Sequence, residues 1–246
     1  MSRALYDRIA PTYSAHRTPD ERIAEQIAAS LRDCESVLNV GAGMGAYEPT
    51  HCPVIAVEPS LEMIRERPRA AAPAVQAVAA KLPFKNRSVD GALAVLTVHH
   101  WLDWRSGLAE LRRVARKKVV ILTWDPKHAG FWLVQDYLPE IRAIDRRIFP
   151  SLRDIEKSIG PVVAQILPIP ADCSDGFLGA YWRRPSEYLR ATVRTAISMF
   201  SKIDSAAGIE RLRRDLENGS WMEKNSPLLE LPQLDIGYRL IVGRCP

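Results

Sequence analysis

Two groups of residues in the 246-residue chain have types and spacing that could do chemistry. The first is a glycine turn, Val37-Leu38-Asn39-Val40-Gly41-Ala42-Gly43-Met44-Gly45, with Val57-Glu58 following so that Glu58 stands seventeen residues beyond Gly41. Glycines permit a tight turn and let backbone N–H groups approach a ligand closely. A carboxylate at the tip of a second strand can accept both hydroxyls of a ribose. The glycine spacing is GxGxG rather than the GxGxxG of pyrophosphate-binding turns, which favours a cofactor without a pyrophosphate over NAD.

The second group is His99, His100, Asp103 and Asp125, each just after an apolar run. A histidine there is suited to proton transfer near neutral pH. His100 is the candidate catalytic residue; a packed, hydrogen-bonded loop is the competing reading of His-His-Trp. Trp101, Trp104 and Trp124 are expected near the same rim, where an aromatic surface could face a flat substrate or a cation. No metal site is expected. Cys34, Cys52, Cys173 and Cys245 are far apart, with no CxxC and no paired histidine spacing.

Positioning these residues requires a sheet. Short, nearly continuous apolar runs at 36–40, 54–57, 91–96 and 118–122 read as parallel strands covered on both faces. Helical stretches separate several of them, at 61–67 and 104–116, and such alternation predicts a doubly wound α/β sheet. Thr18-Pro19-Asp20-Glu21 reads as a capping box, opening a helix to about Arg32 with Ile23, Ile27 and Leu31 on one stripe. Beyond Asp125, helices are expected at 129–147 and 150–160, a strand at 162–169, a helical insertion at 176–224 and a closing strand at 234–242. The expected organisation is a single domain over 1–246. Its cofactor-binding half is 34–125, and 126–160 with 176–224 form a helical cap over the substrate site.

The charge balance, 34 basic against 29 acidic side chains, gives +5. The excess is spread evenly: residues 1–125 carry 17 basic and 14 acidic groups, and 126–246 carry 17 and 15. The densest cluster, Arg112, Arg113, Arg116, Lys117 and Lys118, is expected in a last helical turn, complementing its dipole. Nucleic acid is therefore not expected as a partner. The longest uncharged run, Ser158 to Ala171, has fourteen residues and three prolines, too short and broken to span a bilayer. With no apolar leader at the N-terminus, a cytoplasmic location and no membrane association are expected.

Taken jointly, five pieces resemble the class I S-adenosylmethionine (S-adenosyl-L-methionine, AdoMet)-dependent methyltransferases, specifically the small-molecule group related to ubiquinone-pathway enzymes. They are Tyr6-Asp7-Arg8-Ile9-Ala10-Pro11-Thr12-Tyr13 with Arg17, the glycine turn, Val57-Glu58-Pro59-Ser60, Leu82-Pro83-Phe84, and Ser88-Val89-Asp90 leading into Thr97-Val98-His99-His100-Trp101. The resemblance implies an α/β Rossmann-like seven-stranded sheet of order 3-2-1-4-5-7-6, the last strand antiparallel, with helical lid insertions. It implies that Gly41, Ala42 and Gly43 line the methionine part of AdoMet and that Glu58, with Pro59 beside it, holds the ribose. Met63, Ala79 and Ala80 would edge the adenine, and Leu96 and Thr97 would meet the methionine moiety. Tyr13 and Arg17 would approach the cofactor carboxylate.

The sequence departs from the family pattern at Asn39, where an acidic residue is usual, and at Val78 and Ala80. Pro49 and Pro53 leave room for only a very short helix after the glycine turn. The implied activity is methyl transfer to O, N or C of a small organic molecule by in-line displacement. Two alternatives stand beside it: an RNA methyltransferase, or a cofactor-binding protein of this fold that transfers no methyl group. Oligomeric state is left open.

Overall fold

The computed structural model describes residues 18–245. Its main sheet has seven strands: β1 Val37–Val40, β2 Val54–Val57, β3 Ala74–Val75, β4 Val89–Val95, β5 Ala115–Trp124, β6 Val162–Ile166 and β7 Tyr238–Arg244. In space they run 3-2-1-4-5-7-6. The first five pair in parallel, whereas β7 lies antiparallel between β5 and β6. The resemblance implied this order. A two-stranded ladder, Ile169–Pro170 with Gln233–Leu234, stands apart from it.

The inner strands are apolar on both faces because both faces are covered. On one side Val37, Leu93, Val120, Leu122 and Trp124 pack against α1 (Glu21–Ser30) and the long insertion. On the other, Leu38, Val40, Ala92, Ala94, Val119 and Ile121 pack against α3 (Trp104–Val114); α2 (Leu61–Arg65) follows β2. Fully burying such a side chain contributes roughly 1.5–3 kcal/mol, so the alternation along β5 ties both layers to one strand.

Several local expectations shift. The cap of α1 is Asp20, not Thr18: its carboxylate accepts the Arg22 amide and also binds the Arg22 guanidinium and the Ser174 amide. The predicted short helix after the glycine turn is replaced by consecutive turns, with Gly41, Gly43, Gly45 and Tyr47 all at positive φ. β3 had no signal of its own, being two residues within an alanine-rich stretch. The basic cluster divides: Arg112 and Arg113 end α3, while Arg116, Lys117 and Lys118 lie on β5. Four of the five are ion-paired, Arg113 with Glu110, Arg116 and Lys117 with Asp90, and Lys118 with Asp33.

The segment expected as cap at 126–160 also divides. Its first part holds a π-helical turn, Leu133–Tyr137, and α4, Glu140–Ile148. Its second, α5 (Leu152–Ile159), packs through Ile155 and Ile159 into the same core layer as α3, as the crossover into β6. The later insertion carries α6 (Ala191–Ala196), α7 (Ala206–Glu217) and α8 (Ser220–Leu229). Its core is aromatic: Trp132 stands edge-on to Trp221 at 5.2 Å and to Tyr188 at 5.7 Å, and donates its indole N–H to the Trp182 carbonyl.

Candidate active site

The glycine turn leaves the tip of β1 and is fastened by the Gly41 and Ala42 amides, which both donate to the Val57 carbonyl. Gly41 has φ +72°, and a Cβ there would lie 2.1 Å from Thr97 Oγ1. Only glycine fits. Gly43, at φ +51°, faces open space. Glu58, 7% exposed at the tip of β2, ties this turn to the next element. Its Oε2 accepts the Gly43 amide and its Oε1 the Ser60 amide, both at 2.9 Å. Ser60 then caps α2 by accepting from the Met63 amide.

Behind the turn lies a buried clamp that the spacing did not reveal. Arg67 donates to the Gly43 carbonyl at 2.8 Å and to Glu48 Oε1 at 2.6 Å. Asn39 donates its side-chain amide to the same Glu48 oxygen at 3.3 Å. The unusual Asn39 thus acts toward the protein, because an acidic side chain there would face the Glu48 carboxylate. Breaking such a buried pair from one side costs about 3–5 kcal/mol.

The turn, Glu58 and α2 form one wall of a cleft of about 880 Å3, within the usual range for ligand pockets. Gly41, Ala42, Gly43, Glu58, Pro59, Met63, Ala79, Ala80, Leu96 and Thr97 all line it. Tyr13 and Arg17 lie outside the described residues. Trp101 and Asp103 also line the cleft. Asp103, however, caps α3, and the Ser106 hydroxyl and amide hold its carboxyl below the ordinary range, which makes it a poor base. Asp125 accepts the Lys127 amide and lines neither cavity.

A second, smaller cavity of about 90 Å3 lies on the cap side. Leu96 and His100 line both spaces, so one wall at the carboxyl end of β4 separates them. Leu96 sits at φ +49°, a left-handed conformation costly for a branched side chain, and its amide is held by the Leu122 carbonyl. His99 lies 3.8 Å from His100 between ring centroids and stacks on Phe149 at 4.2 Å. Trp124, Phe131, Phe177 and Tyr238 supply further aromatic walls. The three tryptophans expected at one rim are therefore apart: Trp124 in this pocket, Trp101 in the cleft, and Trp104 in neither, beneath the Arg105 guanidinium.

One polar residue in the small pocket went unnoticed in the sequence. Asp145, on α4, is 4% exposed and lines the cavity. Burial pushes its carboxyl up to about 7, with Lys202 pulling the other way. A signal was present: Ile141, Asp145 and Ile148 fall at i, i+4 and i+7, which places a carboxylate on the apolar stripe.

The cleft fits AdoMet on its own geometry. A glycine-lined surface opens beside Gly43, a buried carboxylate stands at a strand tip, and Met63 and Ala79 give apolar walls. Known proteins agree. The methyltransferase domain family matches residues 38–123. A protein of Anabaena variabilis, assigned as a methyltransferase from an antibiotic biosynthesis pathway, is 32% identical, covers 92% of this chain and 98% of its own, and superposes with a TM-score of 0.84. An uncharacterised protein of Methanocaldococcus jannaschii, MJ1252, is 28% identical over 55% of this chain, and the match spans 56% of its length. The cyclase SpnF shares the fold alone, with 14% identity, coverage of 98% and 94%, and a TM-score of 0.55. The narrower ubiquinone-pathway grouping rests on the motifs. With the fold, the glycine cradle and the Anabaena relative together, this chain belongs to the class I S-adenosylmethionine-dependent methyltransferases.

Proposed function

We propose that this chain transfers a methyl group from AdoMet to an O, N or C atom of a small organic molecule held in the aromatic pocket. The observation that carries this reading is the shared wall: Leu96 and His100 line both the large cleft and the small pocket. A methyl donor on one side and an acceptor on the other would meet there.

AdoMet supplies a methyl group already activated on a sulfonium. The chain's own residues then supply binding, alignment and exclusion of water. Gly41, Ala42, Gly43 and Thr97 would cradle the amino-acid end, and Glu58 and Pro59 the ribose. Met63, Ala79 and Ala80 would flank the base, with Tyr13 and Arg17 as the proposed carboxylate contacts. His100 would take the proton of an acceptor that carries one, and the aromatic walls would keep the site dry.

In this reading the chain is one domain over 1–246. Its cofactor half is 34–125, and the cap over the acceptor is built from the first part of 126–160 and from 176–224. The small pocket, at about 90 Å3, is below the usual size of ligand sites and leaves room only for a small acceptor reaching it from the cleft. An RNA substrate would call for an open basic channel, whereas the densest basic cluster is largely ion-paired. Among the described residues no helix is long and apolar enough to cross a membrane.

The test is incubation with methyl-labelled AdoMet and fractionated small-molecule pools, followed by S-adenosylhomocysteine release. Acceptor-dependent release that vanishes when Phe177→Trp fills the pocket is expected. Tight AdoMet binding with no release from any fraction would favour a binding protein of this fold over an enzyme.

A further inference from the structure

The small pocket is mostly apolar and aromatic; its polar lining residues are His99, His100, Ser198, Tyr238 and one carboxylate, Asp145. Asp145 is more than nine-tenths buried, lines the cavity, and makes no side-chain hydrogen bond or ion pair among the described residues. Leaving a carboxylate buried without a partner is costly, and the protein core gains nothing visible from it. Lys202 is the cation that acts on it, at longer range than an ion pair, and burial holds that ammonium's pKa below its ordinary value. The other charged or titratable groups lining the pocket are His99, His100 and Tyr238. Asp145 lines only the small pocket, whereas Leu96 and His100 form the wall shared with the cofactor cleft.

Resting on the methyl-transfer reading above, we infer that Asp145 is the specificity residue for the methyl acceptor, and that the acceptor is a small molecule bearing a protonated amine. Aromatic faces attract such a cation, and a desolvated carboxylate pairs with it through a charge-assisted hydrogen bond. An ammonium held in this way has no lone pair for displacement. The atom that is methylated is therefore a different one, toward Leu96 and His100, and the amine marks the opposite end of the acceptor.

The test uses three probes of nearly one shape, benzylamine, benzyl alcohol and benzoate. Each is titrated calorimetrically into the full chain saturated with S-adenosylhomocysteine. Benzylamine is expected to bind at least about tenfold more tightly than benzyl alcohol, as a charge-assisted contact would give, and benzoate to bind more weakly still. Asp145→Asn should erase the preference for the amine while leaving S-adenosylhomocysteine affinity unchanged. Asp145→Leu should do the same and should not lower the melting temperature, since a purely structural carboxylate would be missed on removal. An undiminished amine preference in Asp145→Asn, alcohol binding equal to amine binding in the wild type, or no amine binding with S-adenosylhomocysteine bound would overturn this inference alone. Failure of S-adenosylhomocysteine to bind the wild type would overturn the methyl-transfer reading and this one with it.

Discussion

The large cleft and the small pocket touch through Leu96 and His100 but are built in opposite ways. The cleft is made mostly from backbone and small side chains on a few turns: the glycine turn, Glu58 to Met63, the 76–80 segment and the strand end at 95–97. The pocket is made from large side chains contributed by segments scattered from Leu96 to Tyr238. A backbone-built site has little tolerance for added atoms and is written in short motifs. A side-chain-built site can be re-cut by single substitutions while the sheet beneath stays the same, which suits a surface that sets substrate choice.

That difference can be broken most forcefully at Gly41. Gly41→Val places a branched side chain at φ +72° and against Thr97, so AdoMet affinity should fall by about 1000-fold or more, given the combined strain and clash. Calorimetry checks it, and affinity within tenfold of wild type would show that the turn is not a rigid cradle.

On the shared wall, His100→Ala should lower kcat by about 100-fold if it moves a proton, with a smaller change in cofactor affinity. An unchanged kcat would leave His100 a packing role and the reaction to alignment alone.

In the pocket the predicted effect is smaller and opposite in sign. The Asp145 carboxyl is raised to about 7 from an ordinary value of 3.8, so the folded state keeps a proton that the unfolded chain releases. The Asp145 contribution to stability should therefore decline as pH rises from about 4 through 7. Asp145→Asn should flatten that decline and gain about 1–2 kcal/mol at pH 8, which is a few degrees in Tm for a chain of this size. Melts at pH 5 and pH 8 give the comparison.

The smallest effect belongs to the amino-terminal end of β4, away from both cavities. Asp90 is held down to about 2 by Lys117, the Glu35 amide and Arg116. Its contribution is present above pH 4 and is lost as pH falls toward 2. The partners are half exposed, so Asp90→Asn should cost only about 1 kcal/mol near neutral pH, with activity unaltered.

The same contrast explains how much could be read in advance. The parallel strands and the glycine turn with Glu58 followed from apolar runs and short spacings, where period carries the information, whereas the strand order and the other cleft-lining residues came from the family resemblance. β3 escaped because two residues of edge pairing leave no period. The cap of α1 moved to Asp20 because the Ser174 amide, far along the chain, donates to that carboxylate, while the Asp20 amide donates to the Tyr47 hydroxyl. Of the insertion's aromatic residues, Phe131 and Phe177 reach the pocket, whereas Trp132, Trp182 and Tyr188 build the insertion's own core. Composition alone cannot separate these, since aromatic residues fill cores and line pockets equally well. Asp145 was legible in principle, as a charge on an apolar stripe, but the stripe's partner surface comes from residues fifty positions away.

The most direct test of the central claim is calorimetric titration of S-adenosylhomocysteine into the wild type and Glu58→Ala. Glu58 bridges the Gly43 and Ser60 amides and is the residue proposed above to hold the ribose. The account predicts saturable one-to-one binding to the wild type, weakened about 30-fold in the variant by loss of a charged acceptor. Equal affinity in the two proteins, or no binding to the wild type, would contradict it.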